Sequence, residues 1–122
     1  MIVAYVAGKY RGVNDFEISE NIHAARLVAA KLWKLGYAVI CPHLNSSFLS
    51  GVAPESAFLK GGLELLRRCD IVVLVDGWQE SEGAKREVAE ANNFGKPVFD
   101  RIEIVPESKK ILHQISAVAK KT

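Results

Sequence analysis

The chain has 122 residues, 49% of them hydrophobic and 25% charged, with a formal net charge of +2. That length fits one domain spanning residues 1–122, able to bury roughly two thirds of its unfolded surface around one core. The apolar runs are too short to cross a bilayer. The small basic excess, part of it in Lys120 and Lys121 near the C-terminus, gives no footprint for a polymeric nucleic acid.

The start Met-Ile-Val-Ala-Tyr-Val-Ala-Gly lacks the basic stretch and the apolar length of a signal peptide; the expectation is a cytoplasmic protein whose first strand begins at once. Ile2 to Ala7 read as a buried parallel strand that ends in a turn at Gly8. From Asp15 to Leu35, residues Ile18, Ile22, Ala25, Ala29 and Leu32 recur at helical spacing, and Gly36 stops the helix. Tyr37 to Cys41 give a second strand. Pro42 to Ala53 follow as a polar, flexible stretch, long for a compact domain and of a kind that often carries function.

Pro54 opens a second helix running to Arg68, with Phe58, Leu59, Leu63 and Leu66 as its inward face and Gly61 and Gly62 as a local weakness. The unbroken run Ile71 to Val75 has the signature of a central strand covered on both sides. Ser81 is a good N-cap for a third helix that ends near Phe94-Gly95-Lys96-Pro97, after which Val98 and Phe99 begin a fourth strand. Arg101 to Val105 read either as a short fifth strand or as a loop; beyond Pro106, Ile111, Ile115 and Val118 predict a last amphipathic helix. Strands alternating with helices at these lengths require right-handed crossovers. The expected fold is a doubly wound parallel sheet of four to five strands, flavodoxin-like or Rossmann-like, in three α/β/α layers.

Cys41 and Cys69 lack a paired spacing and read as small buried side chains. His23, His43 and His113 have no ligand-like spacing, so neither a metal nor a cofactor is expected. In sheets of this type ligands bind outside the carboxyl ends of the strands, near the point where the strand order reverses. Two segments qualify. Gly8-Lys9-Tyr10-Arg11-Gly12 follows the first strand, with two cations for an anion or else a solvated turn. Asp76 to Glu87 follows the central strand, where Ser81 and Gly83 open a helix whose free amides suit a phosphate. Glu87, one turn beyond Gly83, can point back toward that cleft. A helix terminus shifts a carboxylate by at most about one pKa unit, so Glu87 is expected to be ionised at neutral pH unless strongly desolvated, and an ionised carboxylate can attack an anomeric carbon.

These segments resemble the nucleoside 2-deoxyribosyltransferase superfamily, including its 2′-deoxynucleoside 5′-monophosphate N-glycosidase branch. The likeness is carried by Tyr5-Val-Ala-Gly8-Lys-Tyr-Arg11-Gly12, by Cys41-Pro42-His43, by Cys69-Asp70 before the central strand, by Gly77-Trp78, and above all by Ser81-x-Gly83-x-x-x-Glu87-x-x-x-Ala91 with Gly95-Lys96-Pro97. The resemblance implies that Glu87 cleaves or transfers at the N-glycosidic bond of a nucleoside or nucleoside 5′-monophosphate through a covalent glycosyl ester. It implies that Ser81, Gly83 and Arg11 hold the 5′ end, that Tyr5, Tyr10 and His43 border the base, and that the chain is a homo-oligomer. Trp78 would wall the pocket or belong to the core. Related enzymes carry an aspartate in the helix before the central strand, where this chain has Gly61 and Gly62, with Asp76 or Glu64 as substitutes. Lys9 also stands where the glycosidase branch has a small hydroxyl residue. The alternative is a nucleotide-binding or sensing module of the same fold that does not turn over.

Overall fold

A computed structural model describes residues 1–111 of the chain. Ile115 and Val118 of the expected last helix, together with His113, Lys120 and Lys121, lie outside the described residues; residues 108–111 are helical, with Ile111 buried. The strands are β1 (Val3–Ala7), β2 (Ala38–Ile40), β3 (Ile71–Leu74) and β4 (Val98–Phe99), and the helices are α1 (Asp15–Lys34), α2 (Pro42–Asn45), α3 (Glu55–Arg67) and α4 (Glu82–Asn93). All pairings are parallel in the order β2-β1-β3-β4, with Tyr5 opposite Ile40 on one side and Val72 on the other. Among the described residues no helix is long and apolar enough to cross a membrane.

Alternation along β1 and β3 sorts the core into two layers. Ala4, Val6, Ile71 and Val73 pack with Ala25, Val28, Ala29 and Leu32 of α1. Tyr5, Ala7, Val72 and Leu74 pack with Leu66 of α3 and with Val88 and Ala91 of α4. The result is the doubly wound α/β/α arrangement expected from the sequence. Asp70 ties the two central strands at their start: its carboxylate accepts from the Val3 amide at 2.8 Å and its own amide donates to the Val3 carbonyl at 2.8 Å.

Three connecting segments gain detail that the sequence reading left open. The stretch after β2 begins with the short α2, started by Pro42 at its first turn. Residues 101–105 form no strand. Ile102–Ile104 make one 3-10 turn, and Ile102 and Val105 bury their side chains in the layer under α1. A 3-10 turn also occupies Trp78–Glu80, after Gly77 has adopted a left-handed φ of 87°. On α3, Leu66 is buried in the layer with Tyr5 and Leu65 packs against it, whereas Leu59, expected on the inward face, is 44% exposed.

Candidate functional site

The strand order reverses between β1 and β3, and the loops leaving these two strands meet there. Tyr5 faces the α3/α4 layer and is 1% exposed. The N-cap of α4 fixes that helix: Ser81 Oγ accepts from the Ala84 amide at 3.1 Å. Ala84, Glu87, Val88 and Ala91 then share the inward stripe of α4, and Ala84 and Ala91 are fully buried. Glu87 is thus a carboxylate on an otherwise apolar stripe. Its Oε2 accepts a hydrogen bond from the Tyr5 hydroxyl.

Burial dominates the electrostatics of this pair. It pushes Glu87 from its ordinary 4.5 up to about 7, against the opposing effect of the Tyr5 hydrogen bond. Burial also drives the Tyr5 phenol far upward, with the neighbouring Glu87 charge adding to the effect. Tyr5 is therefore a permanent donor, while Glu87 exchanges its proton near neutrality. The desolvated case set out for Glu87 is the one that applies.

Around the pair, the Ala84 and Lys85 amides are taken by the Ser81 side chain and carbonyl, which leaves Glu82 and Gly83 as free donors at the helix start. A Cβ on Gly83 would meet only Ser81 Oγ, at 3.7 Å, an ordinary contact. Trp78 is half-buried and packs against the cluster containing Tyr5 and Leu74. Asp76 is exposed on the turn before Gly77.

The loop after β1 is fastened from beneath. His43 is 5% exposed, and its Nε2 bonds the Lys9 carbonyl at 2.9 Å, with the Tyr10 ring in edge contact at 5.8 Å. Burial pushes its pKa down, so the ring is neutral and donates from Nε2. It fastens the loop rather than lining an open pocket. Asn21 donates to the Tyr10 and Arg11 carbonyls, both at 3.1 Å. Gly8 has a reason inside the fold, since a Cβ there would come 2.7 Å from Val75 Cβ. The two loop cations are paired with acids on other elements, Lys9 with Glu80 at 3.4 Å and Arg11 with Glu55 of α3. Asn21, Glu55 and Glu80 were not legible as site residues, because each is an ordinary polar residue whose partner is set by the crossovers.

Gly61 and Gly62 behave differently from Gly8. A Cβ on Gly61 would meet nothing within 4 Å, and one on Gly62 would meet only the Tyr5 hydroxyl, at 3.4 Å. Each costs α3 about 1 kcal/mol relative to alanine. Both line a cavity of about 200 Å³ between α2 and α3. A larger depression of about 330 Å³, between the last turn of α1 and residues 102–105, contains none of these groups and lies at the other end of the strands. Among the described residues no cluster suits a metal. Cys41 and Cys69 are buried free thiols; burial raises both, Cys69 to about 11 with help from Asp70.

An all-parallel sheet in this order, with an acid and its phenol partner under the switch point between β1 and β3, defines a flavodoxin-like α/β protein. Residues 2–100 match the family described as Domain of unknown function (DUF4406), and the chain belongs to that family. Among solved structures, the chain is similar to the 2-deoxyribosyltransferase of Bacillus psychrosaccharolyticus. The TM-score is 0.58 at 22% identity, over 79% of this chain and 69% of that one. The likeness shows a shared fold, and at that level the resemblance to nucleoside 2-deoxyribosyltransferases holds. No curated protein matches the chain.

Proposed function

We propose that the protein cleaves or transfers at the N-glycosidic bond of a nucleoside or nucleoside 5′-monophosphate, with Glu87 as nucleophile. The observation that carries this reading is the inward carboxylate of Glu87, held by the Tyr5 hydroxyl at the switch point. A phenol on one oxygen orients the carboxylate and leaves the other oxygen for attack. The likeness to a 2-deoxyribosyltransferase supports the same chemistry.

In this mechanism ionised Glu87 forms a bond to C1′ as the C1′–N bond breaks. The electron pair leaves with the base, which takes a proton from solvent. Water then adds to C1′, loses its proton to solvent and frees the carboxylate; a second base in place of water gives transfer. The Glu82 and Gly83 amides and the Ser81 hydroxyl receive the 5′ end. Lys9 and Arg11 reach a 5′-phosphate by exchanging Glu80 and Glu55 for it, a small cost because exposed ion pairs contribute about 0–1 kcal/mol.

Incubation with 2′-fluoro-2′-deoxynucleosides and their monophosphates, followed by intact mass and peptide mapping, should place an adduct on Glu87 that Glu87→Gln lacks. Chromatography should find free base released from the natural substrate. Unmodified mass and no released base across purine and pyrimidine members would overturn the reading.

The glycines on α3, where related enzymes have an aspartate, favour a second reading of a binding module without turnover. A nucleotide at 100 times its Kd would then stabilise the domain by about 2.7 kcal/mol while remaining intact. Self-association belongs to both readings. Phe48 is fully exposed, and Leu49 and Val52 are 43% and 73% exposed, apolar surface of the kind that marks protein contacts. Light scattering should report more than one chain per particle, and a monomer would remove this part.

A further inference from the structure

We infer that Glu87 acts on nucleosides whose base is a cation, a ring with a fixed positive charge such as a pyridinium or a 7-alkylated purine. The inference rests on the glycosidic reading and names its substrate class. Two features carry it: among the described residues a leaving base finds no free proton donor at the acid pair, and the attacking acid has no cation beside it.

A neutral base leaves C1′ as an anion unless a proton reaches it, and an acid aimed at the leaving atom gives that help. The Tyr5 hydroxyl already donates to Glu87 Oε2, and burial holds its proton in place. Beside that hydroxyl α3 presents Gly62, whose Cβ would stand 3.4 Å away, and neither it nor Gly61 carries a side chain. His43 is neutral and spends its one proton on the Lys9 carbonyl, leaving Nδ1 without a partner. A ring that is already positive needs none of these donors. As the Glu87 carboxylate bonds to C1′, the C1′–N electron pair returns to the ring and cancels its charge. A negative acid and a positive ring become a neutral ester and a neutral base, with no proton moved.

Charge points the same way. The two loop cations are matched by acids, Lys9 by Glu80 at 3.4 Å and Arg11 by Glu55, and Tyr5 is the one titratable partner that acts on Glu87. Asp76 adds another carboxylate on the exposed turn after β3. A buried carboxylate without a countercharge is costly to ionise, and burial accordingly pushes Glu87 up to about 7. A cationic base brings the missing charge and favours the ionised nucleophile as it binds; a neutral base does not. Tyr10, 42% exposed, and half-buried Trp78 lie in the two loops that leave β1 and β3, and aromatic faces attract cations.

The test sets cationic nucleosides against neutral ones of matched shape: nicotinamide riboside against its 1,4-dihydro form, and 7-methylguanosine against guanosine. Free base is followed by chromatography beside enzyme-free controls. At least one cationic member should be cleaved, with kcat/KM about a hundredfold or more above its neutral partner; which one is cleaved tells a pyridinium site from a purinium site. Equal rates within a cleaved pair would overturn the inference. A second probe, 1-methylnicotinamide, is a cation with no glycosidic bond. Titrated calorimetrically, it should bind the wild type more tightly as the pH rises through about 7, and Glu87→Gln roughly tenfold or more weakly, with Tm as the control for folding. No binding at pH 8, or equal affinity for Glu87→Gln, would also overturn the inference. Neutral nucleosides cleaved as fast as cationic ones, with an adduct on Glu87, leave the glycosidic reading and remove the cation. Binding of 1-methylnicotinamide that depends on Glu87, with neither adduct nor released base, leaves cation recognition and removes the nucleophile.

Discussion

The two sides of the sheet are built from the same strands to opposite ends. Toward α1 the layer is apolar throughout, with Leu32 and Ala25 at 0% exposure, and the one phenol in it, Tyr37, donates to the Pro106 carbonyl at 2.8 Å. Toward α3 and α4 the layer holds a carboxylate that burial pushes up to about 7 and two mid-helix glycines. One side collects stability from packing. The other retains features that cost stability, and such features persist where a site needs them.

The largest expected effect lies on the packed side. Leu32→Ala removes a fully buried side chain of α1 and should cost about 2–5 kcal/mol in urea unfolding. A loss below about 1 kcal/mol would break the contrast, because that layer would then draw little stability from its packing.

The next effect comes from Glu87. Its folded pKa of about 7 lies above the ordinary 4.5, so the folded state holds a proton that the unfolded state releases. The associated stability is complete below about pH 4.5 and is lost as the pH rises through about 7, a loss of roughly 3 kcal/mol. Glu87→Gln should flatten that part of the stability profile and exceed the wild type in stability at pH 8, as urea titrations across pH 4–8 would record. Activity should move the opposite way, rising with an apparent pKa of about 7 as the nucleophile ionises. A wild-type profile that stays flat from pH 4.5 to 7 would mean that the carboxylate is solvated.

The contrast between the sides was only half legible in the sequence. The strands could be read because unbroken apolar runs such as Ile71 to Val75 have few alternatives, and Ser81 could be read because an N-cap is a local device. Glu87 stood out through the family resemblance that its spacing from Ser81 and Gly83 carries, since a helical glutamate by itself reads as solvated surface. Its partner Tyr5 lies 82 residues away, and only the register of β1 against β3 brings the phenol under α4. The roles of the glycines were hidden for the same reason. Gly8 approaches Val75 while Gly61 approaches nothing, a distinction invisible in residue type.

Gly62→Asp sharpens the comparison from the site side. Its Cβ would stand 3.4 Å from the Tyr5 hydroxyl, so the new carboxylate would share that donor and face Glu87 as a like charge. Glu87 should then titrate about one unit or more above its present value, followed by carbon NMR of the side-chain carboxyl. An unmoved midpoint would show that α3 does not overlie the pair.

The smallest effect separates fold from site within one residue. Ser81 Oγ accepts from the Ala84 amide at 3.1 Å, so Ser81→Ala should cost about 1 kcal/mol of stability, whereas Ser81→Gly, itself a tolerated N-cap, should cost only a few tenths. The hydroxyl proton is not used by that bond and remains available to a ligand. If the side chain serves the substrate as well as the helix, both variants lose the same hydrogen bond and should raise KM by a similar factor, roughly three- to tenfold, although their stabilities differ. Ser81→Gly with an unchanged KM would confine Ser81 to the fold, and receipt of the 5′ end would then rest on the Glu82 and Gly83 amides alone.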